Sequence, residues 1–576
     1  MKFHLNLMIK YIFPAGMILS SVIALLFGFL IPTKEQMSDW LHITGYYFIF
    51  GTTILWLLSI LPQSLERKKF DYFFNEYGRA LIMALILVAG MYLSCPPQFR
   101  ILADETNLAA VAASMYQEHT FYNSTSGFYY YDAYHDFNHV WGIRPIFFPF
   151  LINIIHTISG YSAENGFVVN AIAGTTTLVL FYGILKNWFP NILALSGMIL
   201  LASFPVYVLW VTSGGFEVVN LLFAMLSFYF LNKFLKTKKG LDLERLGLTL
   251  LLLSQIRYES AIFTICFAII YIFLFIRNDD YKNYTYKIIF IPFLFLPVAW
   301  HRMITMSSEV MLIIEEEHNL FSFTNFSLKF LELIDYFSTN SYKHNTIPFL
   351  FYLGLIGILY GIWLTIKNKE LRTVQNMSLV AYTTMTQIFL IIIILTYNLP
   401  QGGISHPTSI RYGIIFLPLI IFGTIFLIDK ISYLWNATNY YFLFFSIGIL
   451  VFYWPVAVNN DSVNTLLLSR EYNITLNYLK KTHTDKNKII VSDRPGLYTP
   501  HRWGAVNFSY ANQNKEELFR KLKRKLTQEI LVIQKIQYLN EQPTPETRLI
   551  KQFHLEKLFE MQISVTVYLR ISRVLF

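Results

Sequence analysis

The stretch Leu102-Ala-Asp-Glu-Thr-Asn-Leu-Ala-Ala-Val-Ala-Ala-Ser-Met-Tyr-Gln-Glu-His119 puts two adjacent carboxylates, Asp104 and Glu105, just after an apolar run that ends near Cys95. A helix is expected to follow, with Leu108, Ala112, Met115 and Tyr116 on one stripe and Asn107, Ser114, Gln117 and Glu118 elsewhere. Carboxylates at a membrane boundary, followed by a helix that can lie along the surface, suit chemistry on a lipid-borne group. The competing reading is that Asp104 only caps the helix, because Asp is a favoured N-cap residue.

Composition decides the class. The chain is 55% hydrophobic and 14% charged, with a mean hydropathy of +0.44, whereas soluble domains carry about 25% charged residues. The apolar residues gather into runs of bilayer-crossing length, so the fold class expected is an α-helical polytopic membrane protein of about 13 transmembrane helices. Cys95 and Cys266 form no C-x-x-C pattern. The net charge of +10 reads as membrane topology plus a basic tail, not as nucleic-acid binding. No G-x-x-x-x-G-K-[S/T] loop is present, which argues against nucleotide hydrolysis.

In chain order, spans are expected near 11–31, 43–62 and 80–95. Arg67, Lys68, Lys69 and Arg79 put the second loop on the cytoplasmic side, so Asp104 and Glu105 emerge on the outer face. The apolar segment Ile146–Gly160 is short for a crossing and is expected to be interfacial. Spans near 166–185, 191–210 and 217–235 then bring the basic loop from Lys233 to Arg245 inside. Between Leu246 and Ile276, Arg257 and Glu259 would be costly at mid-bilayer, so two short spans meeting at Arg257 are expected. Further spans fall near 286–302, 348–366, 378–396, 412–428 and 438–455, with outer loops at 303–347 and 397–411. The domains expected are 1–79, a two-span addition; 80–456, a transmembrane catalytic domain with a large outer first loop; and 457–576, a small extracytoplasmic α/β domain. That tail should hold helices near 470–482 and 515–526 and strands near 488–492, 530–534, 555–562 and 565–571. The charge run Arg520–Lys525 is expected to be a solvated helix face.

Several outer-face residues then collect: Asp104 and Glu105, Arg144-Pro145 at the end of the same loop, Glu217, Arg257, and Arg411-Tyr412 after His406. Arginines suit an anionic lipid phosphate, and a carboxylate can take a proton from a nucleophile. Singly, each arginine is as well explained as a headgroup anchor, and Glu217 as an acid matching a helix dipole. Phe128-Tyr-Tyr-Tyr131 with Tyr134 reads as an interfacial belt, with sugar stacking as the alternative. His135, Asp136 and His139 have the spacing of ligands on one helical turn, but nothing completes a site. No metal site and no cofactor is therefore assigned, a divalent cation staying open as an alternative. Asn123-Ser-Thr and Asn325-Phe-Ser match the glycosylation pattern.

The order of these features over roughly residues 80–456 resembles the GT-C membrane glycosyltransferases, in particular the protein O-mannosyltransferases and the lipid A aminoarabinose transferases. The resemblance implies a sugar donor on a polyprenyl-phosphate carrier. Its sugar would pass, by inverting direct displacement, to a hydroxyl of a lipid, glycan or protein acceptor. It implies an integral multi-pass protein of a bacterial inner membrane with the active site facing the periplasm or exterior. Residue by residue, it makes Asp104 the general base and Glu105 its assistant or the holder of the loop. Arg144, Arg257, Arg411 and Tyr412 would contact the donor phosphate, and Glu217, where relatives often carry Asp, would be a supporting acid. The alternatives are a transporter or flippase, which would place charges at mid-span in repeated halves, and an oligosaccharide ligase or polymerase.

Overall fold

The computed structural model describes residues 15–61, 67–130, 133–267, 287–306, 323, 326–327, 329–332, 347–367, 386, 410–432, 437–464, 467–485, 487–538, 541–549 and 553–575. The chain divides into two compact units. The first comprises Met1–Pro97, Pro145–Phe148 and Phe167–Asn464; the second comprises Gln98–Arg144, Pro149–Gly166 and Thr465–Phe576.

The first unit is helical. Its main described helices are α1 (Ala15–Leu30), α2 (Lys34–Ile60), α3 (Arg67–Ser94), α6 (Asn165–Lys186) and α7 (Asn191–Ser203). After these come α8 (Pro205–Val211), α9 (Glu217–Thr237), α10 (Gly240–Ser254), and α11 (Tyr258–Phe267) and α12 (Lys287–Met306). The last are α13 (Pro348–Lys367), α14 (Arg411–Ser432) and α15 (Thr438–Asn464). Among the described residues seven helices are long and apolar enough to cross a membrane, or eight if the bent pair α7–α8 is one span. Of the expected thirteen spans, 378–396 lies outside the described residues except for Thr386, and so does the end of the short span after Arg257, from residue 268 to 276.

The expected span at 191–210 is bent. It breaks at Phe204, whose backbone is extended, and α7 and α8 diverge by 71°. Pro205 is the cause, because proline disfavours helical backbone in the residue before it. The two-segment expectation around Arg257 matches the backbone: α10 stops at Ser254, Arg257 is extended, and helical turns resume at Tyr258. Gly357 of α13 faces the backbone of Gly423 of α14, where a Cβ would collide with the Gly423 carbonyl. Glycine there lets two apolar helices approach more closely than larger side chains would allow.

The second unit is α/β. It begins with α4 (Leu102–Glu118), followed by a hairpin of β1 (Tyr122–Tyr130) and β2 (Ala133–Trp141), and takes α5 (Phe147–Ser159) from Pro149 onward. At 13 residues, α5 is about 20 Å long and too short for a hydrocarbon core of about 30 Å. The C-terminal stretch supplies α16 (Leu467–Thr482), β3 (Lys488–Val491), β4 (Gly504–Val506), α17 (Phe508–Gln513) and α18 (Lys515–Lys523). It ends with β5 (Glu529–Gln537), β6 (His554–Gln562) and β7 (Val567–Leu575).

All seven strands form one sheet in the order β2-β1-β4-β3-β5-β7-β6. Pairing is parallel for β3 with β4 and with β5 and antiparallel elsewhere. The alternating residues of β3 and β5 put Ile489, Val491, Ile530 and Val532 into a common core with Phe128, Phe508 and Leu518. The tail thus does not form its sheet alone: the hairpin of the first loop extends it.

Three sequence expectations change with that hairpin. Phe128 is a core residue of the sheet, not part of an interfacial belt, and is 9% exposed. His135 and His139 lie on strand β2, not on a helical turn, so four residues separate them by about 13 Å. Among the described residues no group of three His, Cys, Asp or Glu could hold a metal ion. Asn123 is buried in β1, and its Nδ2 donates to Asn107 Oδ1 at 2.9 Å, so it is not an exposed glycosylation acceptor. Asn325 lies outside the described residues.

The charge run is exposed at Arg520, Lys523, Arg524 and Lys525, as a solvated face should be, and departs from that reading only at Lys521. Lys521 is 4% exposed, its Nζ sits 3.2 Å from the centre of the Phe128 ring, and burial pushes its ammonium below the usual lysine range.

Candidate functional site

The predicted residues fall into two clusters, one in each unit. In the second unit, Asp104 occupies the first turn of α4, but it does not cap the helix. The N-cap is Ile101, with no side-chain cap hydrogen bond. Asp104 instead accepts from Arg144 Nε at 2.8 Å and pairs with Arg144 Nη2. Its side chain is 7% exposed, against 38% for Arg144. A guanidinium delivered by the residue before Pro145 thus covers a buried carboxylate and fixes its direction.

Glu105 has a different task. Its carboxylate accepts from the backbone N–H of Arg100 at 3.0 Å and of Ile101 at 3.1 Å. Those amides precede the helix and need partners once buried. Of the two roles expected for Glu105, holding the loop is the one its hydrogen bonds serve. The segment is gripped from its other side too: Ser469 Oγ donates to the Phe99 carbonyl at 2.6 Å and Asn473 Nδ2 donates to it at 2.9 Å. These α16 residues were not singled out in the sequence, where Ser and Asn on a polar helix carry no distinguishing signal.

In the first unit, Glu217 is the first residue of α9 and is 1% exposed. The turn before it, Ser213-Gly-Gly215, is pinned by Asn170, whose Nδ2 donates to the carbonyls of Ser213 and Gly215, both at 2.7 Å. Arg411 Nη1 donates to Glu217 Oε1 at 3.1 Å, and Arg257 Nη1 lies 3.9 Å from the same oxygen. Arg257 is also stacked over Tyr412, 4.4 Å from the ring centre, and over Phe216 at 5.0 Å. Its other ion-pair contact is Glu259, at 3.5 Å. Glu217 Oε2 is buried with no hydrogen-bond partner among the described residues.

Four of the predicted residues, Glu217, Arg257, Arg411 and Tyr412, therefore converge from three separate chain segments. Two buried guanidiniums against a stacked tyrosine make a rigid set of N–H donors, the geometry that recognises phosphate or carboxylate oxygens. Ser260 Oγ, which donates to Asn220 Oδ1 at 2.6 Å, ties the Arg257 turn to α9. His406 lies outside the described residues.

Residues 143–301, just over a quarter of the chain, match the family of dolichyl-phosphate-mannose-protein mannosyltransferases. That region contains Arg144, Glu217 and Arg257. No curated protein sequence matches the chain. Among solved structures, ArnT from Cupriavidus metallidurans bound to undecaprenyl phosphate is similar over 87% of this chain and 98% of its own, with a TM-score of 0.52 and 10% identity. The apo form of the same protein is similar over 86% and 97%, with a TM-score of 0.50 and 10% identity. The chain thus matches the mannosyltransferase family over residues 143–301 and shares the fold of ArnT over most of its length.

Proposed function

We propose that the protein transfers a monosaccharide from a polyprenyl-phosphate donor to an acceptor hydroxyl on the extracytoplasmic face of a bacterial inner membrane. The observation that carries this reading is the Glu217–Arg257–Arg411–Tyr412 cluster. Among the described residues, Arg257 holds its carboxylate contacts at ion-pair distances of 3.5 and 3.9 Å. Its donors are thus available to a stronger acceptor. A lipid phosphate supplies such an acceptor, and ArnT, the protein whose fold is shared, is known with undecaprenyl phosphate bound.

The chemistry follows from the leaving group. As the bond from the anomeric carbon to the carrier phosphate oxygen breaks, negative charge develops on that oxygen. Arg257 and Arg411 stabilise it, with Tyr412 holding the guanidinium planes and Glu217 holding Arg411. The acceptor hydroxyl attacks the opposite face of the anomeric carbon, giving inversion, and its proton passes to Asp104 as general base. Arg144 orients Asp104. The acceptor is a hydroxyl of a lipid, a glycan or a protein.

Purified protein incubated with labelled polyprenyl-phosphate sugars tests this directly. Label moving to an acceptor supports the proposal, and Arg257→Ala should raise the donor KM. Undiminished donor binding in Arg257→Ala and Arg411→Ala would remove the phosphate assignment.

A further inference from the structure

The C-terminal stretch carries no residue of either cluster, yet it touches the approach to Asp104 through specific hydrogen bonds. Phe99, Arg100 and Ile101 are the last residues before α4, and all are buried. On one side, the backbone N–H groups of Arg100 and Ile101 donate to Glu105. On the other, the carbonyl of Phe99 accepts from both Ser469 and Asn473 of α16. The Phe99 ring lies edge-on to Tyr472, with centroids 5.9 Å apart, and to His501 at 6.3 Å, while Tyr472 Oη is 2.7 Å from His501 Nε2. Carbonyl, amides and ring of this short segment are all fixed, and four of those partners come from residues 469–501.

The same stretch also holds the hairpin that follows α4, which in turn reaches back to the second turn of that helix. Asn107 accepts from Asn123 at the start of β1, β1 pairs with β4 through Gly127 and Ala505, and Thr499 Oγ1 donates to the Ser124 carbonyl at 2.9 Å. The helix bearing Asp104 is thus tied at its entry and, through the hairpin after it, at its second turn.

We infer that Ser469 and Asn473 are positioning residues for glycosyl transfer, and that the C-terminal sheet serves as the frame that aims the Asp104 carboxylate. This rests on Asp104 as the base proposed above. The reason is geometric. One carbonyl with two donors is a fixed point two residues before Ile101, whose own carbonyl accepts the first α4 hydrogen bonds, from the N–H groups of Asp104 at 3.1 Å and Glu105 at 2.9 Å. Loss of the fixed point lets the first turn rock, and a base displaced by about 1 Å loses about a hundredfold in rate while substrate binding is untouched.

The test uses the full-length protein with Ser469→Ala and Asn473→Ala combined, Ser469→Thr alone, and Asp104→Asn as the reference. The expected result is a fall in kcat of tenfold or more for the double variant, with donor and acceptor KM within twofold of wild type. Ser469→Thr, which keeps the hydroxyl, should stay near wild type. Hydrogen exchange should quicken at the amides of Arg100 to Glu105 and stay unchanged in β5 and β7. Unchanged kcat in the double variant, with Asp104→Asn inactive, overturns the positioning role and leaves the base intact. Loss of protection throughout β5 and β7 also overturns it, because the effect is then on folding. Full activity in Asp104→Asn overturns the base assignment, whatever the double variant does.

Discussion

Arg144 Nε donates to Asp104 Oδ1 at 2.8 Å, joining the last residue of the first polar loop to the first turn of the helix that opens it. Forty positions apart in sequence, these side chains make the carboxylate at the start of α4 a paired and directed group instead of a helix cap. Arg144→Ala is expected to lower transfer activity at least tenfold, because Asp104 then loses its direction and its charge partner. Arg144→Lys should recover only part of it, since a lysine lacks the planar guanidinium that offers Nε and Nη2 together. Steady-state kinetics on the two variants check this, and equal activity in Ala and Lys variants would contradict it.

For the phosphate cluster, Arg257→Ala should weaken donor binding by about 1.5–3 kcal/mol, the range for a charge-assisted hydrogen bond, or roughly tenfold to a hundredfold in donor KM. The Tyr412→Ala variant should lose less, because Tyr412 acts on the guanidinium plane through its ring. Titration with a polyprenyl phosphate separates the two.

Gly215 gives an independent handle on Glu217. A Cβ at Gly215 would collide with Glu217 Oε2, so Gly215→Ala should push the carboxylate off Arg411 and cost about 1–3 kcal/mol, as overpacking does. At Gly448, inside α15, a Cβ meets nothing within 4 Å among the described residues, so Gly448→Ala should be neutral or mildly stabilising. Thermal unfolding in detergent compares them.

Much of this was legible in the sequence, for identifiable reasons. Long apolar runs flag helices by length alone, and in the tail Lys488–Val491 and Glu529–Gln537 are rich in Ile and Val and bounded by polar residues. The convergence on Glu217 was readable because buried Arg and Glu are rare in apolar surroundings. The β1–β2 hairpin was not read, because Tyr122–Tyr130 mixes Asn, Ser, Thr and Gly with its aromatics, and its partner β4 has only three residues. Nor does pattern reveal that α16 grips Phe99: that contact spans 370 positions. The break at Pro205 was available from the residue before proline and was outweighed by hydropathy.

His501 and Glu164 make the second unit sensitive to acid. Burial pushes His501 well below the usual imidazole range, more than the nearby Glu164 raises it. Burial raises Glu164, but His501, Lys480 and Ser162 together hold it below the usual carboxylate range. Both folded values lie under the unfolded ones, so the stability is present at neutral pH. It is lost first as pH falls below the histidine range and again below the carboxylate range. A loss of about 1–3 kcal/mol between pH 7 and pH 4 is expected, flattened in His501→Gln. Thermal melts across that range check the sign.

The most direct measurement is transfer of labelled sugar from a polyprenyl-phosphate donor by Asp104→Asn. The side chain is nearly isosteric but cannot take the acceptor proton, so kcat should fall by about 10²–10⁴-fold with donor binding kept. Transfer at the wild-type rate by Asp104→Asn would contradict the account.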